Sequence, residues 1–183
     1  MLSKPYMTGR NITFILNGCL NNDRQCQKEL YRQLHGFAMS VCYRYADVEE
    51  QCVDLVNKGF LKLLNKLNQI HRNGDTDTML LLKEQFKLIL INICVEHYHK
   101  IKGISKDHDN NMSHEQLTGK PIEAIRSLSP INRMVFNLYA IEGYGHMKIS
   151  KILGISLNDS QFCLMQARNQ LREQVMVSKP ATT

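Results

Sequence analysis

Apolar residues recur at spacings of three and four along most of this chain, and glycine and proline are scarce, with 10 and 4 among 183 residues. This spacing places apolar side chains on one face of an α-helix. Few chain-breaking residues interrupt it. The apolar fraction of 43% is enough to bury a core. The sequence therefore predicts an all-α protein.

The first 102 residues are predicted to form four helices, over residues 12–20, 23–45, 48–70 and 79–102. Asp47 and Glu50 have the spacing of a capping box at the start of the third helix. Such helices can close one bundle of antiparallel neighbours. The apolar stripes of the last three helices are Leu30, Leu34, Phe37, Val41 and Tyr45; Cys52, Val56, Phe60, Leu63, Leu67 and Ile70; and Leu82, Phe86, Ile89, Ile93 and His97.

Residues 103–120 are polar, rich in Asp and Asn, and aperiodic, which is typical of a linker. A second module should then occupy residues 121–183, with helices over 122–128, 130–143, 146–153 and 157–176. Ser129 followed by Pro130 is a helix start, because proline at the first helical position needs no amide donor.

The last two predicted helices have the pattern of a helix-turn-helix, whose second helix can enter a DNA major groove. Gly154 permits the left-handed turn between them, and Ile155 fills the corner. An ordinary helical hairpin is the alternative. The second helix should turn Leu164, Ala167, Leu171 and Val175 inward and leave Ser160, Gln161, Cys163, Gln166 and Arg168 free.

The run from Arg133 to Ser156 closely resembles region 4 of the extracytoplasmic-function sigma factors of bacterial RNA polymerase, and most of all the group from Bacteroides-type bacteria. Gln166–Arg172 resembles the end of that region. In the first module, Asp54–Leu63 resembles region 2.2, and Asn92–Lys100 resembles the helix that handles the minus-ten promoter element. The resemblance extends over residues 12–176.

The resemblance implies a factor that binds core RNA polymerase and directs promoter-specific transcription initiation, without catalytic chemistry or a cofactor of its own. Residues 1–102 would be a region 2-like domain, which docks on the polymerase clamp and melts the minus-ten element. Residues 121–183 would be a region 4-like domain, which reads the minus-thirty-five element as duplex. The linker would thread through the polymerase. Many relatives are held inactive by a membrane-linked anti-sigma protein, which the resemblance permits.

The same resemblance, together with the predicted exposed side of each helix, predicts three sets of site residues. Polymerase binding is predicted for Asp54, Asn57, Lys58 and Lys62. Contacts to the minus-ten element are predicted for Arg72, Asn73, Lys83, Lys87, Asn92, His99 and Lys100. Contacts to the minus-thirty-five element are predicted for Ser160, Gln161, Phe162, Cys163, Met165, Gln166 and Arg168.

The sequence departs from the family pattern at several of these positions. The basic residues that the family carries at positions 161 and 166 are both Gln here, and Asp159 adds a negative charge. Glutamine can read the major-groove edge of adenine, but two phosphate or guanine contacts are lost. Lys58 stands where the family usually has an acidic residue, and Gly59 interrupts the helix interior. A tryptophan of the fourth helix is absent, with Gln85 and Phe86 in its place.

Two other functions remain open at the level of sequence. A degenerate relative could bind polymerase or an anti-sigma partner without reading DNA, which the sparse basic residues of the last helix favour. A stand-alone repressor could use the same helix-turn-helix with a sensor or dimerisation domain in front. The net charge of +6 permits a polyanionic partner but does not require one.

Other sequence features argue against an enzyme, a metalloprotein or a membrane protein. No nucleophile–base pair, phosphate loop or metal triad has usable spacing. His97 and His99 lie two residues apart on a helix and so face different directions. The six Cys residues are expected to be reduced thiols, mostly in the core of a cytoplasmic protein. We expect no signal peptide, and the longest apolar stretch, Leu88–Val95, is too short to span a bilayer.

Overall fold

The computed structural model describes residues 12–70, 78–104 and 121–177, and all regular secondary structure within these ranges is helical, as predicted. A π-helical turn, Asn137–Ile141, continues the sixth helix. The α-helices are α1 (Ile12–Leu20), α2 (Arg24–Cys42), α3 (Glu49–Ile70), α4 (Thr78–Ile104), α5 (Pro121–Arg126), α6 (Pro130–Phe136), α7 (His146–Leu153) and α8 (Leu157–Val177). Helix α4 thus runs two residues into the predicted linker, whose residues 105–120 lie outside the described ranges.

The first four helices pack around a core to which most residues of the predicted apolar stripes contribute. Phe60 and Phe86 lie in this core with ring centroids 4.7 Å apart, and the partly buried Tyr31 packs against it, 4.5 Å from the Phe60 ring centroid. All six cysteines are free and buried, and burial raises the pKa of the Cys52 thiol to about 12. The Cys52 thiol therefore stays protonated and acts as a small apolar side chain.

Helices α3 and α4 approach each other closely at Gly59, the residue that interrupts the helical pattern. A Cβ atom placed on Gly59 would overlap Cδ2 of Leu90 and would lie 3.3 Å from Cε2 of Phe86. Both neighbours are fully buried, so neither can move aside without disturbing the core. The glycine is therefore explained by packing between the two helices.

A pair of Gly-to-Ala variants tests this explanation. Gly59→Ala should lower the free energy of unfolding by about 1 kcal/mol, because overpacking outweighs the gain in helix propensity. Gly36→Ala is the matched control, since Gly36 lies within α2 with no atom within 4 Å of the added Cβ. It should raise the free energy of unfolding by about 1 kcal/mol. Urea unfolding of both variants would contradict the explanation if Gly59→Ala stabilised as much as Gly36→Ala.

The start of α3 differs from the predicted capping box. The helix begins at Glu49, and the backbone N–H of Asp47 donates to Oε1 of Gln51 at 2.6 Å. The carboxylate of Asp47 is paired with Arg133 in the second module. The prediction that Asp47 and Glu50 cap α3 reciprocally is wrong, because the Asp47 carboxylate is paired with Arg133 and does not cap the helix.

Arg133 anchors the second module on the corner between α2 and α3. Its side chain is 4% exposed and donates to Asp47 Oδ1 and, at 2.8 Å, to the carbonyl oxygen of Arg126. Arg126 in turn donates to the Tyr43 hydroxyl at 2.6 Å and to the Asp47 carbonyl at 2.7 Å. The Arg126 guanidinium also lies 4.1 Å from the Tyr43 ring centroid. Two arginines thus join the modules through directed hydrogen bonds.

The π-helical turn carries a second group of contacts between the modules. Glu142, whose side chain is 2% exposed, accepts from Arg44 at 2.8 Å and lies 3.5 Å from the Lys87 ammonium. Asn137 Nδ2 donates to the Arg44 carbonyl at 2.8 Å. The single helix predicted over residues 130–143 is therefore α-helical only to Phe136, and the wider turn after it brings polar groups to α2 and α4.

The buried apolar residues of the two modules form one continuous cluster beneath these polar contacts. Of the helices that the structure describes, none has both the length and the apolar character to cross a membrane.

Removal of one partner of the buried pair should be costly. Asp47→Asn leaves the Arg133 guanidinium buried without a counter-charge, so we expect the free energy of unfolding to fall by about 2–4 kcal/mol. Asp54→Asn changes the same charge on the exposed side of α3 and should leave it almost unchanged. Equal denaturation midpoints for the two variants in urea would show that the pair does not hold the modules together.

Candidate nucleic-acid interface

Helices α7 and α8 form a helix-turn-helix around a tight turn at residues 154–156. Gly154 has φ 62° and ψ 41°, a left-handed conformation that glycine adopts without steric cost. Ser150 Oγ donates to the Ile155 carbonyl at 2.6 Å, and the Ile155 side chain packs against the core as predicted. The turn geometry is thus held by the left-handed glycine, one side-chain hydrogen bond and one apolar contact.

The start of α8 is closed by reciprocal hydrogen bonds between Ser156 and Asp159. The Ser156 hydroxyl donates to Asp159 Oδ2 at 2.7 Å and accepts from the Asp159 backbone N–H at 3.0 Å. The Ser156 backbone N–H also donates to the carboxylate at 3.2 Å. These bonds hold the pKa of the Asp159 carboxyl below its ordinary value. Ser156 is therefore the N-terminal cap of α8, and the Asp159 carboxylate in the first turn completes the reciprocal pair.

The inward side of α8 includes two residues that the sequence placed on the free face. Ser160 is fully buried, and Cys163 is 8% exposed, beside the predicted core residues Leu164 and Ala167. Ser160 Oγ lies 2.9 Å from Nδ1 of His146, which holds the first turn of α7 against α8. The prediction that Ser160 and Cys163 lie on the free face is wrong, because α7 covers that side of the helix.

His146 also stacks on Tyr139, with ring centroids 4.6 Å apart. The Arg168 guanidinium lies 5.5 Å from the same tyrosine ring. Arg168 is therefore oriented along the edge of the helix-turn-helix while its residue remains exposed.

The outward side of α8 carries the remaining predicted residues. Phe162 and Met165 are 53% and 51% exposed, and Gln161, Gln166 and Arg168 are also exposed. Gln166 Oε1 accepts a hydrogen bond from Asn132 Nδ2 at 3.2 Å. The outward face is therefore a mixture of amide and apolar groups with one cation at its edge.

The helical spacing places two further exposed residues on this face. Asn158 and Asn169 lie four residues before Phe162 and four residues after Met165. The site residues predicted from sequence omitted both, although spacings of three and four identify them.

The residues predicted to contact the minus-ten element do not share one surface. Arg72 and Asn73 lie outside the described residues. The Lys83 ammonium lies 5.9 Å from the Phe37 ring centroid of α2, whereas Asn92 lines a groove between α3 and α4 with Lys66 and Gln69. The structure therefore separates these groups around α4.

Two of the same set are engaged by the second module. Lys87 faces Glu142, and Nε2 of His99 lies 2.9 Å from the Ile152 carbonyl oxygen of α7. Lys100 is exposed.

The four residues predicted to bind polymerase are all exposed on α3, away from its apolar stripe. Asn57 accepts a hydrogen bond from the Tyr31 hydroxyl at 3.0 Å, and Lys62 pairs with Glu96 of α4 at 2.9 Å. Asp54 and Lys58 lie one turn apart on the same face. The surface is accessible, and polymerase binding by it stays a prediction.

In the part of the chain that the structure describes, no group of three His, Cys, Asp or Glu side chains is arranged to hold an ion. His97 is partly buried, and burial lowers its pKa below the ordinary value.

Residues 122–171 match the family described as Sigma-70, region 4. This segment, which includes the helix-turn-helix, is similar to sigma-70 region 4. The matched segment begins in α5 and ends within α8, so it contains the whole helix-turn-helix and the arginines that hold it on α2 and α3. The region 4 assignment made from sequence is confirmed, whereas the Bacteroides-type assignment stays a prediction. No curated protein sequence matched the chain.

Several solved structures are similar to the chain along most of its length. The sigma factor RpoE, in complex with the anti-sigma factor NepR from Bartonella quintana, is 18% identical with a TM-score of 0.48 and covers 83% of this chain and 98% of its own. CnrH, in complex with the cytosolic domain of CnrY, is 13% identical with a TM-score of 0.45 and covers 91% and 98%. A chain of the RsbN–BldN complex is 14% identical with a TM-score of 0.37 and covers 87% and 98%.

The cap of α8 can be tested through the titration of Asp159. Ser156→Ala removes the hydroxyl that bonds the carboxylate, so the pKa of Asp159 should rise part of the way toward its ordinary value of 3.8. Because the native pKa is lowered, the cap stabilises fully above that ordinary value and is lost as pH falls through the lowered pKa. NMR titration of the side-chain carboxyl carbon measures the shift. Asn158→Ala is the control and should leave it unchanged.

Proposed function

We propose that this chain is a sigma factor of the extracytoplasmic-function type, which binds core RNA polymerase and directs it to a set of promoters. The observation that carries the proposal is the sigma-70 region 4 match over residues 122–171, which contains an intact helix-turn-helix. The outward face of α8 is accessible over its first three turns and can enter a major groove.

Within this proposal, the region 4 domain reads the minus-thirty-five element as duplex DNA through Gln161, Phe162, Met165, Gln166 and Arg168. These residues are exposed, whereas the buried Ser160 and Cys163 support the helix from behind. Arg168 supplies a phosphate contact at the edge of the face, because its guanidinium is already oriented by Tyr139.

The first module binds polymerase and the unpaired minus-ten element. The exposed surface of α3 that contains Asp54, Asn57, Lys58 and Lys62 is the proposed polymerase contact. Its charges are mixed, so it suits a partner helix that carries charges of both signs.

The minus-ten contacts are proposed on α4. Lys87 and His99 face Glu142 and Ile152 of the region 4 domain, so their use on DNA requires the modules to separate. Polar contacts and a continuous apolar cluster join the modules, so their separation requires a partner, here polymerase, whose own contacts compensate for both. An anti-sigma protein that binds both modules would favour the packed arrangement.

Reconstituted transcription tests the proposal. Core polymerase, the purified chain and fragmented genomic DNA from the same organism are mixed. Transcripts should start at defined positions when both proteins are present, and not when either protein is omitted. If the chain neither binds core polymerase nor supports specific starts, the proposal fails. Tight polymerase binding without promoter opening would indicate an interaction protein, and duplex binding without polymerase would indicate a repressor.

The polymerase surface has its own variant. Lys58→Ala removes an exposed cation from the proposed contact and should weaken polymerase capture a few-fold, the usual effect of a single rim charge. Lys28→Ala removes an exposed lysine from α2 and serves as the matched control, with capture expected to match the wild type. Equal loss in both variants, measured by pull-down at the same ionic strength, would point to net charge rather than to this surface.

A further inference from the structure

Two apolar residues, Phe162 and Met165, form the outward line of α8, where a DNA-reading helix normally carries hydrogen-bonding or basic groups. Phe162 and Met165 are three residues apart, about half exposed, and opposite the buried Ser160 and Ala167. They lie on the side of α8 opposite the one that packs on the domain, so they face any groove that accepts the helix. Neither can donate a hydrogen bond to a base.

The residues beside this line are amides. Gln161 and Gln166 flank Phe162 and Met165, and Asn158 and Asn169 continue the line at either end. The hydrogen bond from Asn132 occupies one lone pair of the Gln166 oxygen, which leaves the second lone pair free to accept and the amide nitrogen free to donate. From Leu157 to Ala167 the helix contains no Lys or Arg, and the one acidic residue, Asp159, is engaged in the cap.

Base chemistry limits what such a face can recognise. In the major groove, the thymine C5 methyl is the apolar group, whereas guanine presents two acceptors and cytosine a donor. A Phe or Met side chain against a G·C pair would bury those polar groups without partners. Glutamine pairs in two-point fashion with adenine N6 and N7.

We propose that Phe162 and Met165 contact thymine methyl groups, and that Gln161 and Gln166 read adenines beside them, so that α8 selects an A·T-rich block of the minus-thirty-five element. This inference rests on the proposed function, in which α8 enters duplex DNA. Phe162 and Met165 are then specificity-determining residues, although neither forms a hydrogen bond.

A protein partner is a less suitable occupant of the same surface. The two exposed apolar side chains lie between amides, not within a broad apolar patch of the kind that marks protein docking sites. Amide side chains on both sides match the alternating donors and acceptors of adenine edges.

The experiment uses the full chain bound to core polymerase and a duplex library with a randomised block upstream of a fixed start region. Capture of the chain by polymerase is measured first and separately. We expect enrichment of A·T pairs at the contacted positions. Replacing a selected A·T pair by G·C should then weaken binding at least about five-fold.

Uracil in place of thymine removes the C5 methyl and changes nothing else on the major-groove edge. At a contacted position this change should weaken wild-type binding by about 3- to 5-fold, the effect of one buried methyl group. Phe162→Ala and Met165→Ala should each bind the thymine-containing duplex more weakly than the wild type does. Each variant should also show no further loss of binding when uracil replaces the thymine that the deleted side chain contacts. Met147→Ala is the matched control, because Met147 is exposed on α7 away from the outward line of α8. It should keep the full uracil effect.

The outcomes distinguish a failure of the proposed function from a failure of A·T recognition by α8. Failure of polymerase capture contradicts the proposed function. Retained capture with a G·C-rich selected block, or with no effect of uracil, overturns the A·T reading alone. If no duplex is enriched and Phe162→Ala or Met165→Ala weakens capture by polymerase or by an anti-sigma protein, the surface is a protein contact and the inference is wrong.

Discussion

The Arg133 guanidinium is almost completely enclosed between the two modules, and its charge requires a partner there. A buried cation without a counter-ion costs several kcal/mol, on the order of a third of the stability of a domain of this size. Asp47 supplies the counter-ion, and its carboxylate therefore does not cap α3. The start of α3 and the position of α6 are therefore coupled, and this pair contributes, with the other polar contacts and the shared apolar cluster, to the orientation of the second module relative to the first.

The same coupling determines which surfaces are free. Because Arg133 of α6 is paired with Asp47 between α2 and α3, the π-helical turn that follows α6 directs Glu142 toward Arg44 and Lys87, and α7 comes to lie beside the end of α4. Helix α8 packs on α5, α6 and α7. Its outward face therefore remains exposed while the first module covers other parts of the domain. Lys87 and His99 of α4, which are proposed to bind unpaired DNA, contact the second module. The outward face of α8, which is proposed to bind duplex DNA, is accessible.

In the proposed complex with duplex DNA, the accessible face of α8 would combine two kinds of specificity that do not depend on charge. Amide groups select by hydrogen-bond pattern, and apolar groups select by excluding bases that would be left unpaired. A face with few cations has fewer counterions to displace from DNA, so its binding depends less on salt and gains less general affinity. Such a domain suits a factor that polymerase brings to the promoter, because polymerase contacts can supply the affinity that the helix lacks.

The helices, the apolar stripes and the helix-turn-helix could be predicted from the sequence, because helical periodicity and the turn at Gly154 are local properties. The core residues of α2 to α4 follow from the same periodicity. Gly59 was recognised as unusual, but only the approach of Leu90 and Phe86 explains it. The roles of Asp47, Arg133 and Glu142, the π-helical turn and the burial of Ser160 depended on tertiary structure. Each of these features depends on contacts between residues that are distant in sequence. Local sequence patterns do not show which distant charge or helix will contact a given side chain.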